Sequence, residues 1–318
     1  MAALLVIPSL LVSGEVLWRD PGLMSGLNLT PAPWDSGQPP KPPFQFVKEE
    51  KSGTSPKVII KDANSETWFV KFGFEAKPET FSSRIVRAVG YFAPVTYFVT
   101  DGTFENAPDN LGRAKKEIEK GSGHFRNARF SRKFEAVPGK WTFDNADLKG
   151  TRELGGLRLL ITLLSNWDVK YPNFSLIRVP GGETMYAITD WGETLGKSDE
   201  KDRWDCPKYR SETAHWSDGV RDGYVVMNYN GKMHDVVTNG IRVEDLKWFV
   251  GRINGLSDAQ IRDALKAAGA SDEDTACFAG AIKERIKSLK DLSEGNGGQV
   301  RSRTVTTTTT TAAPATEK

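Results

Sequence analysis

The alternation of apolar and polar residues predicts a β-hairpin early in the chain. A short β-rich run at residues 58–60 is followed by an Asp-Ala-Asn-Ser turn and by a second run at residues 67–72. Successive side chains of a strand point to opposite faces, so Lys71 is expected on the face opposite its neighbours Val70 and Phe72. A lysine in that position is either a solvated side chain or a buried ligand for phosphate.

Helical periodicity begins after this hairpin. Apolar residues recur at helical spacing between residues 78 and 91, which predicts a helix with Pro78 in its first turn and its end near Gly90. Farther along, the pattern predicts a central helix at 151–165, a short strand at 223–229, and two closing helices at 258–268 and 271–292.

Two motifs that can carry chemistry follow apolar runs in the second half of the chain. After the run LRLLITLL come Asp168, Lys170 and Asn173, and after the run MYAI comes Asp190 in an Asp-Trp-Gly turn. Phosphoryl transfer from ATP needs an aspartate that accepts a hydroxyl proton and a lysine that neutralises the transferred group. It also needs an asparagine and a second aspartate that hold metal. Taken alone, either motif would also fit an ordinary surface turn.

A polar loop precedes the hairpin lysine. Residues 52–57 read Ser-Gly-Thr-Ser-Pro-Lys and lead directly into the first strand. A kinase needs a loop that covers the nucleotide phosphates and a lysine on a buried strand that holds them. The loop therefore favours the buried, phosphate-binding interpretation of Lys71.

In this order, the motifs resemble those of the HipA-type atypical kinases. That family shares a two-lobed fold with protein kinases and phosphatidylinositol kinases, and the resemblance covers about residues 50–290. It implies an α+β, protein-kinase-like fold with a small β-rich N-terminal lobe and a larger, mostly helical C-terminal lobe. It also implies an ATP- and Mg²⁺-dependent kinase that transfers the γ-phosphate to a hydroxyl acceptor.

The resemblance assigns a role to each candidate residue. Asp168 would be the catalytic base, with Lys170 beside it. Asn173 and Asp190 would hold the metal, and Lys71 would hold the nucleotide. The phosphate-covering loop would contribute Ser52, Gly53, Thr54, Ser55 and Lys57.

Two features depart from the family pattern. The covering loop has one glycine rather than a glycine-rich array, and Asn166 and Trp167 replace the His-Arg pair of typical protein kinases. We therefore do not expect a typical regulated Ser/Thr kinase. Glu79 is the expected partner of Lys71, although the first turn of a helix favours an acid in any case, and Glu75 is a rival.

Other functions stay open at this stage. The same fold can transfer AMP instead of phosphate with nearly the same motif residues. A nucleotide-binding pseudokinase could act as a scaffold, although the intact set of motif residues argues against it. A structural or interaction protein with coincidental motifs is a further alternative. The acceptor, whether protein, lipid headgroup, sugar or metabolite, follows no readable pattern.

Composition agrees with a globular enzyme. The chain has 318 residues, of which 38% are hydrophobic and 26% charged, and its net charge is +2. Strong attraction to nucleic acid or to an anionic membrane is therefore not expected. Basic runs at residues 113–116 and 126–133 are either solvated faces or contacts for an acidic substrate or for ATP. Cys206 and Cys277 lack metal-ligand spacing, and three scattered histidines give no zinc frame.

The ends of the chain differ from its middle. The apolar residues 2–14 have the length of a signal-peptide core but no preceding Lys or Arg, so cytoplasm and export both stay open. The same segment is too short to span a bilayer. The predicted organisation is a segment and Pro-rich connector at 1–44, the N-terminal lobe at 45–112, the C-terminal lobe at 113–292, and a disordered Gly/Thr-rich tail at 293–318. The hinge between the lobes is expected near residues 100–112.

Overall fold

The computed structural model describes residues 14–34, 37–51, 53, 55–196 and 204–296. Most of the N-terminal apolar segment and the threonine run of the tail lie outside these ranges, so the expectations about them are not addressed by the structure. Within the described ranges, no helix has both the length and the apolar character needed to cross a bilayer.

A closed β-barrel with one helix forms the first half of the described chain. Its elements are β1 (Phe44–Glu49), β2 (Lys57–Lys61), β3 (Thr67–Lys71), α1 (Ala76–Ala88), β4 (Thr96–Glu105) and β5 (His124–Arg132). The strand order is β1-β2-β3-β5-β4, and β1 pairs in parallel with β4 to close the barrel. The predicted hairpin is β2 and β3. Trp68, Val70 and Phe72 are all buried in the barrel core, as the alternation predicted.

Strand β5 extends the barrel beyond the predicted lobe boundary. It pairs antiparallel with both β3 and β4, so residues 124–132, which the sequence analysis placed in the C-terminal lobe, form a barrel strand. The last barrel strand ends at Arg132, and the range 100–112 in which the hinge was expected covers the end of β4 and the start of its connection to β5. In the basic run at 126–133, Arg126 is exposed, whereas Arg129 and Phe130 are buried.

The second half of the described chain is mostly helical. Its elements are β6 (Glu135–Val137), α2 (Arg152–Leu164), β7 (Phe174–Arg178), β8 (Thr184–Ile188), α3 (Cys206–Thr213), β9 (Ser217–Arg221), β10 (Tyr224–Met227), α4 (His234–Thr238), α5 (Val243–Ile253), α6 (Asp258–Ala267) and α7 (Asp272–Ser293). Strands β6, β7 and β8 form one small sheet, and β9 with β10 forms a hairpin. Helices α6 and α7 and strand β10 agree with the sequence predictions.

The central helix α2 has clear ends. The Thr151 hydroxyl accepts a hydrogen bond from the Leu154 N–H at 3.2 Å, which caps the first turn. Ser165 ends the helix in the left-handed conformation, with φ 50°. Leu159, Leu160 and Leu163 are buried in the core of the helical half. Because both ends and the packing of the helix are defined, the position at which the Asp168 motif begins is also defined.

Helix α1 packs on the helical half. It begins at Ala76, slightly before the predicted start, and Phe81, Ile85 and Val89 enter the core shared with α2. Described residues near the N-terminus enter the same core, including Leu17 and Leu29. The segment interpreted as part of an extended connector therefore packs, at its start, against the larger lobe.

A disulfide joins Cys206 at the start of α3 to Cys277 in α7, across 71 residues of sequence. The sequence analysis assigned these cysteines no partner. Two cysteines so far apart carry no local pairing signal, and their proximity follows only from the packing of α3 against α7.

Candidate active site

Lys71 lies at the end of β3, where the barrel meets helix α1. Its ammonium contacts Glu75 directly, lies 3.5 Å from Glu79 Oε2 and lies 3.9 Å from Asp190 Oδ1. The residue is 6% exposed, so the hairpin lysine is buried rather than solvated. Three acids from two parts of the chain thus converge on one lysine.

Both candidate glutamates reach this lysine. Glu75 is the N-cap of α1 and Glu79 lies in its first turn, so the two side chains, four residues apart, share one helix face. Arg129 on β5 donates to Glu79 from the other side, with 2.7 Å between Arg129 Nη1 and Glu79 Oε1. Glu79 therefore sits between two cations, and Arg129 is a site residue that the sequence analysis did not predict.

A row of cations crosses three adjacent strands. Lys57 on β2 is the register partner of Lys71 on β3, and Lys71 is the register partner of Arg129 on β5. On the opposite side, carboxylate oxygens of Glu75, Glu79 and Asp190 all lie within 4.8 Å of one another. The ammonium and guanidinium groups suit the phosphates of a ligand, and the carboxylates suit a metal ion bound with it.

The facing charges shift the pKa values of the site. Burial opposes the charged form of Lys71, but Glu79, Asp190 and Glu75 hold the pKa of the lysine above its ordinary value. Burial also opposes the ionisation of Asp190, but Lys71 and the Gly192 N–H hold the pKa of this aspartate below its usual range. Both groups are therefore charged at neutral pH.

The predicted phosphate-covering loop lies beside this cluster. Ser55 Oγ donates to Glu75 Oε1 at 3.3 Å, and the carbonyl of Gly53 accepts a hydrogen bond from Arg113. Lys57 is the first residue of β2, and burial together with the charge of Lys71 lowers its pKa. Ser52 and Thr54 lie outside the described residues, and their predicted role stays a prediction.

The Asp-Trp-Gly turn is fixed on the helical side. Trp191 is buried, and its Nε1 donates to the carbonyl of Ile188 at 2.9 Å. A Cβ atom at Gly192 would lie 2.8 Å from Glu75 Oε2, so glycine permits the close approach of this turn to α1. The next residues reinforce the contact, because the hydroxyls of Thr194 and Ser82 lie 2.7 Å apart.

Asp168 is held between two lysines on the loop after α2. One carboxylate oxygen contacts Lys170, and the other contacts Lys232, which lies just after β10. The Asp168 side chain is 15% exposed, so a substrate hydroxyl could still reach it. Burial opposes the charge of Lys170, but the hydrogen bond from its ammonium to Asp168 holds the pKa of this lysine above its ordinary value.

The segment that carries Lys232 is joined at successive positions to residues 166–173, which we call the catalytic loop after the predicted role of Asp168. The Tyr229 hydroxyl donates to the carbonyl of Asn166, and the Lys232 N–H donates to the carbonyl of Trp167 at 2.9 Å. A Cβ atom at Gly231 would lie 2.8 Å from Trp167 Cα. Glycine therefore allows this segment to reach the loop. No local signal in the sequence could have found Lys232, which lies 64 residues after Asp168.

Asn166 connects the catalytic loop to the Asp-Trp-Gly turn. Its Nδ2 donates to the backbone carbonyl of Asp190 at 3.3 Å, and its Oδ1 accepts from the Asp168 N–H at 3.4 Å. The residue is 1% exposed. Asn166, which stands where typical protein kinases have the His-Arg pair, thus hydrogen-bonds with its side-chain amide to the backbone of both Asp168 and Asp190.

A buried arginine supports the same loop from behind. Arg285 of α7 is 1% exposed and donates to the carbonyls of Thr162 and Leu163 and to Ser165 Oγ, at 3.0, 3.1 and 2.8 Å. These are the last groups of α2 before the catalytic loop. Arg285 therefore satisfies the carbonyls that a helix end leaves without partners and fixes where the loop begins.

The residues present fit a hard divalent cation. Asn173 ends a short 3₁₀ turn, and its carbonyl accepts from the Thr189 N–H at 2.9 Å, which brings it next to Asp190 in space. The side-chain amide of Asn173 has a buried nitrogen with no hydrogen-bond partner among the described residues. Rotation of that amide by half a turn would present its oxygen, and amide and carboxylate oxygens are the ligands that Mg²⁺ prefers.

Comparison with known proteins identifies the fold. The sequence matches no protein-family model and no curated protein. Among solved structures, the chain is similar to CtkA, a proinflammatory kinase of Helicobacter pylori, with a TM-score of 0.51 and 15% identity over 81% of this chain and 98% of that one. The α+β kinase-like fold, with its N-terminal sheet and mostly helical C-terminal part, is thereby confirmed.

Two further likenesses are weaker. A Golgi casein kinase with Mn and ADP bound matches with a TM-score of 0.41 and 13% identity, over 84% of this chain and 75% of that one. HipA of Shewanella oneidensis, solved with HipB and operator DNA, matches with a TM-score of 0.33 and 15% identity, over 84% of this chain and 69% of that one. These scores carry no argument of their own. The similarity shown is to kinase-like folds at low identity, with HipA among the structural neighbours.

Proposed function

We propose that this protein is an ATP- and Mg²⁺-dependent phosphotransferase that acts on a hydroxyl acceptor. The observation that carries the proposal is the convergence of Lys71, Asp190 and Asp168 at the junction of the barrel and the helical half. Asn166 hydrogen-bonds to the backbone of both aspartates. A kinase-like fold alone does not define an activity, so the proposal rests on this site.

Each residue has a distinct task in the proposed reaction. Lys71 holds the phosphates of ATP, while Glu79 and Arg129 keep that lysine in place. The acceptor hydroxyl gives its proton to the Asp168 carboxylate as its oxygen forms a bond to the γ-phosphorus. The bond between that phosphorus and the oxygen leading to the β-phosphate breaks, and ADP leaves.

The metal-binding part of the proposal concerns Asp190 and Asn173. Both offer oxygen ligands, and Asp190 stays ionised because its pKa is held low. Mg²⁺, when bound, neutralises charge on the phosphate oxygens. Lys170 has its ammonium beside Asp168, where it can neutralise the group in transfer. Ser55, Lys57 and Gly53 lie in the loop that would cover the phosphates.

Label transfer from ATP tests the proposal directly. The purified chain and its Asp168→Asn variant are incubated with cell lysate and Mg²⁺, and with ATP labelled on either the γ- or the α-phosphate. We expect labelled product from the γ-label alone, and loss of that product in the variant. Product from the α-label would replace the proposal with AMP transfer. Absence of product with either label, together with no stabilisation by Mg-ATP, would support a non-enzymatic role.

A further inference from the structure

A cavity of about 950 Å³ opens beside the active site, on the other side of the connection between β3 and α1. We call it the basic groove and define it by Phe74, Lys77, Lys115, Lys116, Lys120 and Arg126. Its residues come from the start of α1, from the 3₁₀ turn at Arg113–Lys116 and from the start of β5. None of the active-site residues named above lines it.

The charge of the groove is predominantly positive. Five lysine and arginine side chains line it, against Glu117 and Glu119. Two of the five have acidic partners outside this set: Lys120 lies 3.9 Å from Asp109 and Arg126 lies 3.8 Å from Asp101. Lys115 and Lys116 are exposed, and within the described residues neither has an ion pair. These two lysines are therefore positioned to meet negative charge from a partner.

Aromatic side chains interrupt the positive surface. Phe74 is 56% exposed, which is unusual for a phenylalanine, and it lies at the edge of the groove. Phe98 and Trp204 are half-buried on its wall. The Lys77 ammonium lies 5.9 Å from the Phe98 ring centre and 6.0 Å from that of Trp204. The groove thus offers apolar contact as well as charge.

The groove and the active site share one short piece of chain. Glu75 and Glu79 point from α1 into the active site, whereas Phe74 and Lys77 lie on the groove side of the same helix start. Lys71 is only a few residues away. A molecule held in the groove is therefore held next to the site of phosphoryl transfer.

We propose that the basic groove binds an acidic segment of a protein acceptor that also carries an aromatic or apolar residue. The acceptor part of this inference rests on the proposed phosphotransferase function. A peptide fits better than a nucleic acid, because Glu117 and Glu119 among the lysines would repel a continuous phosphate backbone. A peptide with spaced acids can place its carboxylates on the lysines alone. The net charge of +2 for the whole chain agrees with this choice.

Fluorescence anisotropy with a labelled Glu-rich peptide containing phenylalanine tests the binding. The variant Lys115→Glu/Lys116→Glu is compared with Lys149→Glu/Lys247→Glu, which reverses two exposed lysines away from the groove. We expect the groove variant to bind the peptide about tenfold more weakly and the control variant to bind it as the wild type does. Binding should also weaken as ionic strength rises. The milder variant Lys115→Gln/Lys116→Gln should show a smaller loss of peptide affinity, and it keeps the test valid if the Lys→Glu variant does not fold.

Three results would overturn the proposal. They are no measurable binding of the peptide by the wild type, an equal loss in both double variants, and displacement of the peptide by an oligothymidylate that the wild type binds more tightly. The last result would make the groove a site for single-stranded nucleic acid.

Label transfer separates this inference from the proposed activity. With dephosphorylated casein as an acidic acceptor, the groove variant should label casein less efficiently while its hydrolysis of ATP in water is unchanged. Normal peptide binding with no label transfer to any acceptor would support the groove as a peptide site and contradict the phosphotransferase function. Equal label transfer to casein in all variants would support the phosphotransferase function and contradict the role of the groove in binding the acceptor.

Discussion

Arg129 and Lys71 lie side by side on paired strands, and both contact Glu79. The guanidinium of Arg129 is 2.7 Å from Glu79 Oε1, and the ammonium of Lys71 is 3.5 Å from Glu79 Oε2. Burial raises the pKa of Glu79, although both cations favour its charged form. When Lys71 turns toward a phosphate, Arg129 can still balance this buried carboxylate.

Arg129→Met is predicted to destabilise the fold through Glu79. Removing one member of a buried ion pair leaves the other charge without compensation, so we expect a loss of about 3 kcal/mol in the free energy of unfolding. Adding Glu79→Gln should recover part of that loss, because the uncompensated charge is then removed. Urea denaturation of the two single variants and the double variant measures the coupling.

Arg126→Met provides the matched control on the same strand. The Arg126 side chain is 76% exposed, so its replacement should change stability by less than about 0.5 kcal/mol. Effects of Arg129→Met and Glu79→Gln that simply add would contradict the coupling between the two residues.

Asp168 and Asp190 are predicted to affect different steps. Asp168→Asn removes the proton acceptor, and we expect the rate of label transfer to fall about a thousandfold while Mg-ATP still stabilises the protein. Asp190→Asn removes a metal ligand and a partner of Lys71, so Mg-ATP should bind more weakly. For a wild-type protein at a hundred times the dissociation constant, that stabilisation is about 2.7 kcal/mol.

Thermal unfolding with and without Mg-ATP, run beside the transfer assay, separates the two effects. If Asp168→Asn kept full activity, or if both variants lost nucleotide binding equally, the assigned roles would not hold.

Gly231 is predicted to control the position of Lys232 beside Asp168. In Gly231→Ala, the added Cβ would lie 2.2 Å from the Tyr229 hydroxyl and 2.8 Å from Trp167 Cα, so the segment must move away from the catalytic loop. We expect a slower rate of transfer with Mg-ATP binding close to that of the wild type. Lys232→Met should give the same pattern without the steric effect.

Gly251→Ala is the control for this pair of variants. A Cβ at Gly251, within α5, would meet no atom within 4 Å, and alanine favours helix, so stability should stay constant or rise. Transfer rates in Gly231→Ala and Lys232→Met that match the wild type would show that Lys232 does not act on Asp168.

Local patterns predicted the elements that hold the site. The hairpin alternation placed Lys71 opposite Val70 and Phe72. The helix predicted after it carried Glu79, and Glu75 was the rival candidate just before that helix. Each of these predictions depended on residues within one turn or one hairpin. The two-lobed fold was implied by the resemblance to HipA-type kinases, which the order of the motifs carries.

Residues that reach the site from a distance could not be predicted in the same way. Arg129 meets Lys71 through the register of β3 with β5, and Lys232 meets Asp168 across 64 residues. Arg129 lies in a basic run that looks like an ordinary surface, and Lys232 is a single lysine between Gly231 and Met233. Strand β5 likewise joins the barrel through its pairing with β3 and β4, which no local pattern signals.

Loss of the Cys206–Cys277 disulfide is predicted to destabilise the helical half. The bridge closes a loop of 71 residues, and in the chain-entropy model its removal costs about 4 kcal/mol through greater freedom of the unfolded chain. The variant Cys206→Ala/Cys277→Ala should therefore unfold at lower urea concentration, and wild-type protein kept in dithiothreitol should match it. Thiol labelling of the oxidised, denatured wild type should find no free cysteine. Reactive thiols there, or a variant as stable as the wild type, would rule out the bridge.

Asp190 is predicted to make stability depend on acid pH. Its folded pKa lies below the ordinary value of 3.8, since the charges of Lys71 and neighbouring cations and the Gly192 N–H outweigh the effect of burial. The stabilisation from ionised Asp190 is therefore complete above that ordinary value and is lost as pH falls through the folded pKa. The stability difference between the wild type and Asp190→Asn should be largest near about pH 6 and should shrink under acid conditions. Urea denaturation across this range measures it, with Asp263→Asn on the exposed side of α6 as a control for the loss of one negative charge. A difference that stays constant down to the acid transition would show that Asp190 does not hold its charge through Lys71.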